Sequence, residues 1–102
     1  MDKIYNYDGM SMALEVTSYC DNDNLAIQVW EVDSDGQPCE PYARLTVNLG
    51  DKLPNYTAYV DTNNWPDAAD FIEDNELGVL IGWGHSGYCD YPKYLFDVTK
   101  LK

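Results

Sequence analysis

The stretch Met12-Ala13-Leu14-Glu15-Val16-Thr17, the turn segment Cys20-Asp21-Asn22-Asp23-Asn24 and the run Leu25-Ala26-Ile27-Gln28-Val29-Trp30 together decide the fold class. Met12, Leu14 and Val16 fall on one face, with Ala13, Glu15 and Thr17 opposite. Leu25, Ile27 and Val29 repeat the pattern against Ala26, Gln28 and Trp30. Side chains alternate with period two only on extended backbone, so the two runs predict half-buried antiparallel strands. The Asp and Asn residues between them tolerate left-handed dihedrals and bond their own backbone, which predicts a hairpin turn.

Working outward, Asp33-Ser34-Asp35-Gly36 closes the second strand in the same way. Residues 37–41 read as a loop, because Pro38 and Pro41 cannot feed a central ladder. Leu45, Val47 and Leu49 alternate against Arg44, Thr46 and Asn48, and residues 57–61 form a further strand. The period then changes. Trp65, Ala68, Ala69 and Ile72 follow helical spacing, Pro66 sits where a helix start tolerates it, and Gly78 follows Leu77 as a C-terminal glycine. These signals predict one helix over about 65–76. Residues 78–82 read as a short apolar strand, 84–92 as a loop and 94–98 as a last strand. The expected architecture is α+β in a single domain, residues 1–102: an antiparallel sheet of about five to six strands, with the helix packed on one face.

Composition narrows the function classes. A hydrophobic content of 45% in 102 residues can supply one core. No apolar run approaches the roughly 18–20 residues of a membrane span. Eighteen Asp and Glu against six Lys and Arg give a net charge of -12, which excludes ordinary binding to nucleic-acid phosphates. The N-terminal residues lack a basic region followed by an apolar one, so no secretory signal is read. Three cysteines cannot all pair within one chain, which points to reduced thiols and a cytoplasmic location.

Several motifs suggest chemistry and fail on context. Gly82-Trp83-Gly84-His85-Ser86-Gly87 matches G-x-G-x-x-G, but a dinucleotide site needs a helix and a second parallel strand next. The chain ends too soon to build them. Cys20, Cys39, Cys89 and His85 total a legal zinc set, yet no C-x-x-C knuckle joins them. His85 and Cys89 could form a nucleophilic pair, without any supporting local signature. Residues 31–36 resemble the start of a calcium loop, but Tyr42 stands where a bidentate Glu is required. Nothing singles out two carboxylates as a glycosidase pair. No catalytic residue, metal ligand or cofactor is therefore assigned.

Charge and aromatic residues are the informative features. Residues 93–102 carry Lys93, Lys100 and Lys102 against Asp97, so the acidity belongs to the body of the chain. The predicted helix is its densest element, with Asp67, Asp70, Glu73, Asp74 and Glu76 and no base. Asp67, Asp70 and Asp74 share a face at i, i+3, i+7, with Glu73 bordering it. Asp74 and Glu76 stand at the negative end of the helix dipole, where carboxylates cost stability. Tyr88, Tyr91 and Tyr94 cluster in sequence near Trp83, and Trp30 lies on the polar face of its strand. Tyr and Trp beside acids suit a protein-binding surface. The candidate partner-binding residues are Asp67, Asp70, Glu73, Asp74, Glu76, Trp30, Trp83, Tyr88 and Tyr91.

Glu40-Pro41-Tyr42 leading into Leu45-Thr46-Val47-Asn48-Leu49, then Ala58-Tyr59-Val60-Asp61-Thr62-Asn63, Phe71-Ile72-Glu73, Ser86-Gly87-Tyr88, Tyr91-Pro92 and Tyr94-x-Phe96 carry a likeness. With these strings the chain resembles, from about residue 3 to 101, a family of small uncharacterised acidic proteins of Firmicutes-type bacteria, their plasmids and conjugative elements. The resemblance implies a bacterial accessory protein of mobile DNA and carries no site residue. The expected function is a non-enzymatic interaction module that meets a basic protein surface, in its sharper form a DNA-mimic inhibitor. The alternatives are a Cys/His-dependent enzyme or zinc protein, and an acidic homodimer joined by an edge strand or the Trp30 face.

Overall fold

The computed structural model describes residues 3–101. It contains β1 (Tyr5–Tyr7), β2 (Met10–Ser18), β3 (Leu25–Val32), β4 (Pro38–Arg44), β5 (Thr46–Val47), β6 (Thr57–Val60), α1 (Ala68–Asp74), β7 (Gly78–Ser86), β8 (Cys89–Phe96) and α2 (Val98–Leu101). The strands form two antiparallel four-stranded sheets, ordered β1-β2-β3-β4 and β5-β6-β8-β7.

The chain passes from one sheet to the other at Leu45, between β4 and β5. Leu45 is fully buried, its N–H donates to the Ile27 carbonyl at 2.9 Å, and its own carbonyl accepts from Asp61 N–H at 2.9 Å. The next side chain completes the junction: Thr46 Oγ1 accepts from Ile27 N–H at 3.1 Å and lies 2.9 Å from the Tyr19 hydroxyl. One main-chain crossing thus ties a central strand of the first sheet to the second. The main core gathers Met12, Ile27 and Val29 from the first sheet, Ala58, Val60, Tyr94 and Phe96 from the second, and Ala68, Phe71 and Ile72 from α1. Trp65 is buried at its margin, edge-on to Tyr7 at 5.2 Å and Tyr42 at 5.4 Å. A smaller cluster of Leu53, Tyr59 and Tyr91 includes Val47, Leu49 and Cys89 at its border. The hairpin segment between β2 and β3 does more than turn. Asn24 Nδ2 donates to the Asp51 carbonyl at 2.7 Å and its Oδ1 accepts from Leu53 N–H at 2.9 Å, clasping the 50–53 segment.

The architecture is mainly β, which corrects the expectation of one five- to six-stranded sheet under a helix. Four local readings changed, each for a physical reason. A first strand, β1, pairs with β2 through the two-residue turn Asp8-Gly9, whose φ values of 50° and 80° are those of a primed hairpin turn. Residues 38–44 form a strand despite two prolines, because β4 is an edge and its outer side needs no donors. The helix begins at Ala68, since the Asp61 carboxylate holds Asn64 in a turn and the Asp61 carbonyl takes Trp65 N–H. It ends with Leu77 N–H on the Ile72 carbonyl and Glu76 N–H on that of Glu73, so Glu76 (φ 55°), not Gly78, takes the left-handed position. Finally, residues 84–92 are not a loop. β7 and β8 form a long hairpin whose Gly87-Tyr88 turn has Gly87 at φ 62°, and the chain then leaves β8 for α2, where Asp97 Oδ1 accepts from Thr99 N–H at 2.9 Å.

Thr46→Val keeps the side-chain shape at the sheet crossing but leaves the buried Ile27 N–H without its acceptor. It should cost about 1–3 kcal/mol, read as a lowered urea midpoint with an unchanged slope.

Candidate functional site

Helical spacing brings Asp67, Asp70 and Asp74 to one side of α1, and the β1–β2 turn adds Asp8. With Asn6, Tyr7 and Asn75 these carboxylates line an open groove of about 550 Å³. Asp67 stands at the N-cap of α1 without a side-chain capping bond; its Oδ2 instead accepts from the Tyr7 hydroxyl at 2.8 Å, tying helix to strand. At the other end, Asn75 Nδ2 donates to the Asn6 carbonyl at 2.9 Å and its Oδ1 accepts from Asn6 N–H at 3.2 Å. The groove walls are therefore pinned at both ends. Among the described residues, none of its four carboxylates makes an ion pair. Asp8 is the member that the sequence reading missed; its signal was an Asp-Gly dipeptide beside Tyr5-Asn6-Tyr7, the strongest short hairpin mark.

Glu73 and Glu76 belong elsewhere. They line a second groove of about 390 Å³ with Gly78, Val79, Leu95, Phe96 and Asp97. Glu73 Oε2 accepts from the Tyr94 hydroxyl at 3.1 Å, under which Tyr94 is 1% exposed. Burial, followed by that hydrogen bond and the charges of Glu73 and Asp70, pushes the Tyr94 hydroxyl up to about 12. Asp97 is held below the usual carboxylate range by the Thr99 hydroxyl and N–H, and then by Lys100 and Lys3.

The aromatic candidates do not form one patch. Trp30 is half-buried on the outer face of β3, with Nε1 donating to Glu15 Oε1 at 3.1 Å. Trp83 is exposed on β7, and Tyr88 stands free at the hairpin tip. Tyr91 is only 8% exposed and packs in the smaller cluster. Trp83 is opposite Pro92 while Gly84 is opposite Tyr91, so Trp83 and Tyr91 point to opposite faces of the sheet. Tyr94 faces the main core.

The same register separates His85 from Cys89. His85 lies directly across from Asp90, and Nδ1 contacts the Asp90 carboxylate, whereas Cys89 pairs with Ser86 on the other face. Cys20 and Cys39 are exposed, and all three thiols are free. Among the described residues no three His, Cys, Asp or Glu side chains are grouped to hold a metal ion. The glycine motif has a packing explanation. A Cβ on Gly84 would collide with the Tyr59 ring, and Gly87 supplies the positive φ of the hairpin turn. Among the described residues no helix is long and apolar enough to cross a membrane.

The fold and these grooves define a small, acidic, two-sheet β protein with an uncompensated carboxylate cluster beside a short helix. The chain belongs to the family described as Domain of unknown function (DUF4313), whose model matches residues 13–102. No curated protein and no solved structure matches the chain.

Two measurements check this local picture. Gly84→Ala should lower stability by about 1–3 kcal/mol in denaturant unfolding, because the Tyr59 ring must give way. Tyr94 has a folded-state pKa above its ordinary value of 10, so its neutral form is favoured by folding. Its contribution should be complete below pH 10 and disappear as pH rises through about 12. The urea midpoint should fall more steeply over that window than in Tyr94→Phe.

Proposed function

We propose that this chain is a non-enzymatic interaction module that captures a basic protein surface in the groove of Asp8, Asp67, Asp70 and Asp74. The observation that carries the reading is the convergence of these four carboxylates from two elements without a cation among the described residues. Carboxylates held together deepen the negative potential of the groove, and a Lys- or Arg-bearing partner relieves it. Exposed charge of this kind acts chiefly on association rate and on the choice of partner.

The sharper form of the reading is DNA mimicry on behalf of a mobile element. Asp67, Asp70 and Asp74 repeat along one side of a helix about 10 Å long, with neighbouring Cβ atoms about 5–6 Å apart. Asp8 adds a fourth carboxylate to the same groove from the β1–β2 turn. A protein groove shaped for a phosphate backbone would accept such a row. Glu73 and Glu76 fall outside it, which narrows the acidic contact from the five helix residues to three plus Asp8. The three free thiols support a reducing, cytoplasmic setting.

Affinity capture from bacterial lysate tests the reading. The wild-type chain should retain a basic protein at low salt and release it at high salt. Asp70→Lys with Asp74→Lys, at unchanged circular dichroism, should slow capture about tenfold or more. Retention equal to wild type would reject the groove as the binding surface.

A further inference from the structure

The two sheets have four edges, and three of them are closed to further strands. β1 has three residues, and the Asn75 amide occupies the Asn6 backbone. β4 carries Pro38 and Pro41 and two register shifts. β5 has two residues. Short length, proline and bulges are the devices by which natural sheets prevent edge pairing. β7 is different. It has nine residues, Gly78-Val-Leu-Ile-Gly-Trp-Gly-His-Ser, with no proline, lysine, arginine or carboxylate. Val79 is 59%, Leu80 47%, Ile81 49% and Trp83 59% exposed, beside Leu95 at 43%.

The exposure is not that of an ordinary solvent face. Val79 and Leu80 point to opposite faces, since Val79 pairs with Leu95 and Leu80 with the buried Tyr94. What the exposed side chains share is the open edge. Ile81 is the extra residue of a bulge between the Leu80–Tyr94 and Gly82–Lys93 pairs. An added strand would run about 4.8 Å away and cover side chains on both faces at once.

We infer that the β7 edge is a self-association site, where two copies of this chain pair their β7 strands antiparallel about a two-fold axis to make one eight-stranded sheet. Charge selects the second copy as occupant. Bodies of net charge -12 repel, so copies can meet only where charge is sparse. Residues 77–96 hold one acid, Asp90, and one lysine, Lys93, while the rest of the chain is strongly acidic. The two-fold arrangement also separates the remaining carboxylates. Glu73, Glu76 and Asp97 flank the Gly78–Val79 end of the strand. Antiparallel pairing sets that end against the partner copy's Trp83–Ser86 end, and keeps the two acidic ends apart. A depleted charge at the centre with aromatic and aliphatic side chains is the composition of homodimer interfaces.

Sedimentation or light scattering of the full chain, from low to high micromolar concentration, tests the inference. The expected mass is that of a dimer, and association should strengthen with added salt, because salt screens the mutual repulsion. Leu80→Lys and, separately, Ile81→Lys should give monomers that are folded by circular dichroism, while Val16→Lys, at an exposed position of β2, should remain dimeric. With Cys20, Cys39 and Cys89 replaced by Ser, Ile81→Cys near the two-fold axis should cross-link on oxidation. A wild-type monomer at every concentration, a dimer that survives both lysine substitutions, or a dimer weakened by salt overturns the inference.

Discussion

The structure depends on one crossing of the main chain between two sheets. At Leu45 the backbone leaves β4 and enters β5, and three hydrogen bonds from Ile27, Leu45 and Asp61 fasten the step. Strands that change sheets make the corners of packed β structures, and buried backbone groups at such a corner must all find partners. Thr46 solves this locally by accepting the Ile27 N–H with its side chain. Because the crossing joins a central strand of the first sheet to the edge of the second, residues from both sheets fall into a single core with α1. The orientation of α1, and hence of its carboxylates, follows from that shared core.

The surface divides by charge. One region concentrates carboxylates from α1 and the β1–β2 turn, pinned by the Tyr7–Asp67 and Asn6–Asn75 bonds. Another, along β7, is apolar and nearly free of charge. In the proposed roles, salt would act on these two surfaces in opposite senses, screening attraction to a basic partner and also repulsion between copies. The acidic groove and the apolar edge are therefore chemically distinct surfaces. Glu76 joins the regions; it holds a left-handed conformation that glycine usually takes, at the turn from α1 into β7.

Much of the fold was legible. The strands β2 and β3, the Asx-rich turn between them, the Asp33–Gly36 turn and the apolar side of α1 lie where the residue pattern placed them, although Ala13 and Ala26, read on the polar face of the strands, are buried. The hairpin of β7 and β8 was legible only in part: 78–82 and 94–98 read as strands, but Gly82, Gly84, Gly87 and Pro92 made the segment between them read as a loop. β4 was hidden by its prolines, which exclude only a central position. Val16 continues the apolar face of β2 in sequence, yet it is exposed, because the core ends before it.

For the site, residue spacing alone grouped Asp67, Asp70 and Asp74, since helical geometry sets neighbours at three and four residues. Net charge was likewise a property of the chain read in one dimension. Adding Asp8, sending Glu73 to Tyr94, burying Tyr91 and setting His85 and Cys89 on opposite faces required strand pairing. Local patterns report the face a residue presents within its own element. Which elements meet, and which edge is left open, is decided by packing between segments far apart in sequence, where one register choice reassigns every side chain at once.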